Sequence, residues 1–264
     1  MPFQPDPERT LYLVDGTSNL YRAFHAIRGL SSSKGLPTNA VYGFTTMLRK
    51  ILKDHAPRYL AVAFDLPGPT FRHEAFADYK ANRPETPEEL VAQIPYVKEI
   101  CGVLRVPVLE LSGYEADDVI GTLADRARRT GFEVVIVASD KDLLQLVGEG
   151  VVVYNPVKEE FLDADGVERV FGVRPERVRD VLALCGDASD NIPGVPGIGA
   201  KGARDLVRQY GDLESVLRAA PSVARKSYRE GLEGHSETAR LSLDLATVRL
   251  DVPIAFDPEA FRLA

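Results

Sequence analysis

Residues 113–146, GYEADDVIGTLADRARRTGFEVVIVASDKDLLQL, decide how the rest of the chain is to be read. They set Glu115, Asp117 and Asp118 at the head of a helical pattern and close a β-rich apolar run, 134–137, with Asp140 and Asp142. Val119, Ile120, Leu123, Ala124 and Ala127 share one side of that helix, so it can lie on a sheet with its first turn directed off the sheet edge. The run 134–137 is apolar throughout, as expected of a parallel strand covered on both faces. In sheets of that kind, sites form beyond the carboxyl ends of the strands. Taken singly, each motif reads more readily as ordinary structure, since acidic residues suit the positive end of a helix dipole and Asp-Lys-Asp makes a polar turn. In succession they crowd carboxylates at one edge, where they repel unless protons or cations fill the gaps. Oxygen-only sites suit hard divalent cations such as magnesium or manganese.

With 264 residues and 45% hydrophobic composition the chain can build a core, either as one large α/β domain or as a domain with a helical appendage. Cys101 and Cys185 lie in apolar helical patterns far apart, which favours buried free thiols in a reducing compartment over a disulfide or a zinc site. No apolar run reaches membrane length, and the opening MPFQPDPERT is polar and proline-broken. A cytoplasmic location is therefore expected. A formal charge of −7 argues at first sight against nucleic acid, whose affinity comes largely from phosphate neutralisation. Cations bound to the carboxylates named below would leave the remaining protein slightly positive, so net charge excludes neither class.

The apolar run 11–14 ends in Asp15-Gly16, a strand followed by a sharp turn, and helical spacing follows over 20–27 with Tyr21 and Arg22 near its start. Tyr21 and Phe24 also read as core. Residues 41–52 form a second amphipathic helical pattern, and 59–64 a second apolar run closing on Asp65. Residues 66–95 are polar, proline-punctuated and mixed in charge, too long for an ordinary connection and the one segment expected to be a lid or disordered. Within it Arg72, His73, Tyr79, Lys80 and Arg83 interleave cations with an aromatic, which suits phosphates and an unstacked base. Glu74, Asp78 and Glu85 offset that charge, and a solvated surface helix accounts for the same composition equally well. Strands over 106–111 and 151–154 and a short helix within 163–172 complete an alternation that predicts an α/β fold with a mostly parallel central sheet. After Arg174 only helical patterns remain, over 180–184, 203–210, 213–217 and 237–248. The expected division is an α/β domain over 1–173, including the segment 66–95, and a helical subdomain over 174–264.

Residues 185–205, CGDASDNIPGVPGIGAKGARD, carry a second acidic pair, Asp187 and Asp190, spaced to share one side of a helical turn. Gly197-Ile198-Gly199 follows, with Lys201 and Ala203 beyond. Glycines at a helix start let the backbone approach phosphate, and the exposed amides form an anion site. An ordinary helix–helix turn uses the same residues. The order Gly, apolar, Gly, then Ala203 and Leu206-Val207 resembles the helix-hairpin-helix motif, which holds DNA by its backbone; no base-reading side chain is apparent, which implies a grip indifferent to sequence.

Assembled, these stretches make the chain similar to the flap endonuclease superfamily, and within it to the 5′ nuclease domain of bacterial DNA polymerase I and its stand-alone relatives. The likeness rests on VDGTSNLYRAFHA, AVAFD, FRHEAFADYKANR, GYEADDVI, ASDKDLLQL and GDASDNIPGVPGIGAKGA, spread over 11–252. It implies a PIN-like or Rossmann-like α/β domain with two divalent metals, magnesium or manganese, at the sheet edge. Asp15, Asp65, Glu115, Asp117 and Asp118 would surround the first, and Asp140, Asp142, Asp187 and Asp190 the second. It implies that 66–95 is a helical arch or clamp for the free 5′ strand, with Lys80, Arg83 and Arg72 on the scissile phosphate, Tyr79 on a flap base and Tyr21 stacked near the cleaved step. Gly197, Gly199 and Lys201 would hold duplex, and potassium would sit among the carbonyls of Gly194, Val195 and Ile198. No histidine is required, and none of His25, His55, His73 and His235 lies beside an obvious catalytic partner.

The implied function is that of a structure-specific, metal-dependent 5′ nuclease, both 5′-3′ exonuclease and 5′-flap endonuclease, serving DNA replication and repair. It would act as a monomer on branched or nicked DNA, with RNA primer strands as a further substrate and a DNA polymerase as functional partner; a polymerase portion is expected to be absent. The alternatives are a PIN-like ribonuclease, which normally lacks this arch and glycine turn, and a non-catalytic DNA-junction-binding module, which would have lost carboxylates. No dinucleotide-binding fingerprint follows the first strand.

Overall fold

In the computed structural model, which describes residues 3 and 5–263, the strand β1 (Thr10–Asp15) lies at the centre of a six-stranded sheet and is buried along its whole length. The expected domain ends at residues 1 and 264 lie outside the described residues. β1 pairs in parallel with β2 (Tyr59–Ala63) on one side and β4 (Glu133–Val137) on the other. β3 (Val108–Leu109) extends the sheet beyond β2 and β5 (Val151–Asn155) beyond β4, both parallel. β6 (Glu160–Leu162) closes the far edge antiparallel to β5, a short hairpin that apolar patterning did not signal. The resulting order is β3-β2-β1-β4-β5-β6.

Side chains alternate across a strand, so β1 serves two cores. Leu11 and Leu13 join one core with Ala61, Val134 and Ile136, while Tyr12 and Val14 join another with Leu60, Val62, Val135 and Val137. The second core is covered by α1 (Gly16–Ala26), α2 (Asn39–His55) and α5 (Ile94–Val103), the last preceded by the short helices α3 (Phe71–Ala75) and α4 (Glu88–Val91). The first is covered by α6 (Ala116–Arg129), which buries Val119, Ile120, Leu123, Ala124 and Ala127, the face its spacing predicted. Its last turn carries Arg126, Arg128 and Arg129, which suits the negative end of the helix dipole.

Helices α7 (Ala164–Phe171), α8 (Val178–Cys185), α9 (Ala200–Tyr210), α10 (Leu213–Ala219), α11 (Lys226–Gly234) and α12 (Ser236–Ala246) complete the chain. α11 went unread in the sequence. Val181, Leu206, Val216, Leu232 and Leu245 belong to the same core as α6, so the helical part shares its interior with the sheet. Residues 66–95 are folded, not disordered, because Arg72, Tyr79, Leu90 and Gln93 are all buried. They form short helices joined by turns rather than a continuous helical arch. Among the described residues no helix is long and apolar enough to cross a membrane.

Candidate active site

β2, β1 and β4 end side by side, and the chain's progress across the sheet reverses between β1 and β4. Open α/β sheets bind ligands at such a switch point. Asp15 ends β1 and caps α1, its carboxylate accepting from the Ser18 amide at 2.9 Å. Buried Asn19 donates to the carbonyls of Asp15 at 2.7 Å and Val137 at 3.2 Å, stitching the two strand ends together. Asp65 follows β2 and accepts from the Ala116 amide at 2.7 Å, which ties it to the head of α6. Asp142, at the start of a 3₁₀ turn after β4, donates its amide to the Asp140 carboxylate at 3.0 Å. Asp15, Asp65, Glu115, Asp117, Asp140, Asp142 and Asp190 all line one cavity of about 470 Å³.

Within this edge the carboxylates fall into two states. Burial, followed by repulsion from Asp140 and Asp65, pushes the Asp15 carboxyl up to about 7. Burial raises Asp117 as well, reinforced by Asp15 and Asp140, and it raises Asp142, reinforced by Asp140 and Asp187 against the opposing pull of Lys141. One oxygen of Asp142, Oδ1, is buried with no partner. Among the described residues none of Asp15, Asp65, Asp117, Asp140 and Asp142 forms an ion pair. An all-oxygen set in mutual repulsion, with an orphaned buried oxygen, fits hard divalent cations. The donors face a shared cavity without already converging, since no three described acidic, histidine or cysteine side chains stand at ligand spacing.

The remaining acids are paired within the chain. Arg72, expected on the scissile phosphate, is 3% exposed and forks onto Asp118 at 2.7 and 2.9 Å, while also donating to the carbonyls of Leu245 and Thr247. Asp118, expected as a metal ligand, is fully buried and further accepts from the amides of Glu115 and Arg249. The placement of both residues therefore differs from expectation: their hydrogen-bonding capacity is spent on docking the base of α3 against α6 and the residues after α12. Tyr79, expected on a flap base, is also buried and donates to Glu115 and Asp190, at 3.1 and 2.9 Å. The residue is 3% exposed, its ring meets His73 edge-on and the Lys80 ammonium lies 5.0 Å from its centroid, which leaves little of the ring for stacking on a base.

Arg72 and Tyr79 border the cavity, as do Lys80 and Arg83, and these last two are likewise held by acids. Lys80 binds Glu115 at 2.5 Å and lies 3.7 Å from Asp190, which Arg83 also grips. Burial alone would raise Asp190, yet Lys80 and Arg83 outweigh it and hold this carboxyl below its usual range. Lys80 adopts a left-handed φ of 58°, a conformation that costs on the order of 1–3 kcal/mol. Its backbone amide donates to the Asp190 carbonyl at 2.9 Å, and this bond and its ion pairs hold it there. Tyr21 lines the cavity, its hydroxyl bonded to Thr86.

The loop after α8 completes the site. Asn82 and Arg83 donate to the carbonyls of Ala188 and Ser189, and Asn191 donates back to Asp78, so 78–83 and 187–191 are laced together. Lys141 pairs with Asp187 at 2.7 Å. Asn19, Lys141, Asn82 and Asn191 were not singled out from sequence; only the Asn191 φ of 56° has a sequence correlate, the tolerance of asparagine for left-handed backbone. The loop closes where Gly194 lies against Gly186: a Cβ on Gly194 would come within 2.4 Å of the Gly186 nitrogen.

Beyond it, Gly197 has φ +82° and Gly199 caps α9, both with open space where a side chain would project, and Lys201 is exposed beside them. The Val195 and Ile198 side chains are buried, and the Ile198 amide donates to the Val195 carbonyl at 3.1 Å. Ala203 is buried, but the tightest approach is at Gly202, where a Cβ would lie 2.3 Å from the Tyr228 hydroxyl of α11.

This architecture is matched from residue 10 onward. Residues 10–172 match the family described as 5′-3′ exonuclease, N-terminal resolvase-like domain, and residues 173–264 match its 5′-3′ exonuclease, C-terminal SAM fold. The chain belongs to the 5′-3′ exonuclease family. This 5′ nuclease is 44% identical to a 5′-3′ exonuclease of Aquifex aeolicus over 97% of its own length and 87% of the relative's. It is 46% identical to DNA polymerase I of Bacillus caldotenax over 94% of its length, but spans only 29% of that protein. Among solved structures, T5 5′-exonuclease with bound zinc ions is 25% identical with a TM-score of 0.76, covering 90% of this chain and 89% of that one. The catalytic core of Rad2 in complex with DNA substrate, 15% identical over 97% of this nuclease and 86% of that chain, with a TM-score of 0.58, shares the fold.

Proposed function

We propose that this 5′ nuclease hydrolyses phosphodiesters of DNA at 5′ flaps and free 5′ ends, using two magnesium or manganese ions. The observation that carries this reading is the set of unpaired, mutually repelling carboxylates at the switch point beside the cations of 66–95. Asp15, Asp65 and Asp117, with Glu115, would hold one ion; Asp140, Asp142, Asp187 and Asp190 would hold the other. Asp118 acts by fixing the head of α6. When bound, such ions supply an activated water and neutralise charge on the scissile phosphate and the leaving oxygen.

The chain's own part is to position and to balance charge. Lys80 and Arg83 leave Glu115 and Asp190 as ions and phosphate arrive, and then stabilise charge developing on the phosphate. Tyr21 borders the cavity and would stack near the cleaved step. The open amides at Gly197 and Gly199, with Lys201, hold the duplex backbone; potassium at the carbonyls of Gly194, Val195 and Ile198 would draw that backbone in. Binding is salt-sensitive and indifferent to sequence. A polymerase that leaves flaps or primer-derived 5′ strands is the functional partner in replication and repair, and RNA in such strands is tolerated.

Product mapping on a 5′-labelled flap duplex tests this. Magnesium should release the flap and leave a 5′-phosphorylated duplex end, and chelator should stop it. Preference for linear single-stranded RNA would favour a PIN-like ribonuclease instead, and DNA left uncut even with manganese would favour a non-catalytic junction-binding module.

A further inference from the structure

Gln93 is 0% exposed in a run of apolar residues at the C-terminal foot of 66–95, yet every hydrogen-bonding capacity of its amide is used. Its oxygen accepts from the amides of Ala40 and Val41 at 2.9 and 3.2 Å. Its nitrogen donates to the Asn39 side-chain oxygen and the Glu89 carbonyl, both at 2.9 Å. Ala40 and Val41 are first-turn donors of α2, the groups an N-cap side chain ordinarily satisfies, and Thr38 at the N-cap makes no such bond. Gln93 thus caps α2 from another element.

Asn39 carries the link onward. Its nitrogen donates to the carbonyls of Phe24 at 2.7 Å and Ile27 at 2.9 Å, at the C-terminal end of α1. Two buried amides therefore join the foot of 66–95 to the end of α1 and the start of α2. The same stretch meets α1 a second time where Tyr21 bonds Thr86. α1 begins at the Asp15 cap, while 66–95 carries Lys80 and Arg83. Neither Gln93 nor Asn39 lines the cavity.

We infer that Gln93 is a positioning residue: acting through Asn39, it fixes the cationic segment relative to α1, and so sets where Lys80 and Arg83 stand over the attacked phosphate. This rests on the nuclease reading above. A fully satisfied buried amide pair has a single arrangement, because any shift orphans first-turn amides or helix-end carbonyls.

The test is Gln93→Met, which keeps length and volume but loses every hydrogen bond, measured below its melting temperature. Displacement of a positioned group far from the chemistry should lower the single-turnover rate on a 5′-flap duplex ~10–100-fold, with the flap Kd changed less than ~3-fold. In a Lys80→Ala/Arg83→Ala background the same change should cost less than ~2-fold further, since its effect passes through those cations. Asn39→Leu breaks the link from the α1 side, should reproduce both results, and decides the matter if Gln93→Met does not fold. Full wild-type rate in a folded variant, or an undiminished loss in the cation-free background, overturns the inference. Wild-type protein that leaves the flap uncut refutes the nuclease reading itself, and this inference with it.

Discussion

Glu115, Asp118 and Asp190 and their neighbours Asp15, Asp117, Asp140 and Asp142 lie at one sheet edge, yet the two groups could hardly differ more in how their charge is met. The first group is answered within the chain, by Arg72, Lys80, Arg83 and the Tyr79 hydroxyl. The second has backbone amides and one another, and burial turns that proximity into raised proton affinity for Asp15, Asp117 and Asp142. A buried charge needs a partner or a proton, and where the chain supplies no cation these carboxyls hold protons more tightly. Glu115 and Asp190 sit between these conditions: their partners are the cations proposed for the phosphate, which would make the pairing there exchangeable, whereas Asp118 is locked.

The sharpest way to break the contrast is to remove a member of the unpartnered group. Asp140→Asn should lower magnesium-dependent flap cleavage by ~10³-fold or more while leaving flap binding near wild type, because it removes an ion ligand rather than a DNA contact. Single-turnover rates beside binding isotherms decide this, and retained activity would show that the unpartnered acids are not the reactive ones.

Lys80→Ala and Arg83→Ala probe the exchangeable pairs. Each should slow the chemical step by ~10²-fold and weaken duplex binding far less, since a positioned cation acts chiefly on charge that develops during reaction. Equal losses in rate and binding would instead make them general phosphate contacts.

For the locked pair the readout moves from rate to stability. Arg72→Met strands Asp118 in the core and should cost about 3–5 kcal/mol, or roughly 10 °C of Tm, with cleavage recoverable at low temperature. A variant of normal Tm that failed only in cleavage would return Arg72 to the phosphate.

The smallest effect is in pH. The Asp15 carboxyl is raised from 3.8 to about 7, so the folded chain keeps a proton that the unfolded chain has released. Stability without divalent ions therefore falls as pH rises across that window, and magnesium, which takes the ionised form, should recover a few degrees of Tm more at about pH 8 than at about pH 5.5. Asp190 runs the other way: held below its usual range, it contributes above that range and is lost on acidification. Melting curves of Asp15→Asn should show a shallower neutral slope, the rest being carried by Asp117 and Asp142, and an unchanged acid one; no change in the neutral slope would dissolve the distinction.

Much of this was legible beforehand, for identifiable reasons. The apolar run 134–137 and the spacing from Val119 to Ala127 fix a buried parallel strand and a helix lying on it, because both periodicities are set by backbone geometry alone. The acids flanking them stand out since they end those elements. What could not be read was pairing. That Arg72 serves Asp118 depends on 66–95 folding back onto α6, and that Gln93 caps α2 depends on two elements far apart in sequence meeting. Tyr79 looked like a free aromatic among cations, the pattern of a stacking platform, until its burial against His73 was known. β6 and α11 were missed because a strand of three residues and a helix rich in charge and glycine leave little periodic signal.

The contact of Gly186 with Gly194 has one more effect. By cinching backbone to backbone at its neck, it turns the loop bearing Asp187 and Asp190 into a hoop of invariant girth, whose exit feeds almost directly into Gly197 and α9. With duplex held at Gly197 and Gly199 and hydrolysis at the carboxylates, as proposed above, the span between them would be a ruler built into the main chain. The number of base pairs between anchorage and incision would be metered by backbone packing, and a single alanine at either neck glycine would be enough to miscalibrate it.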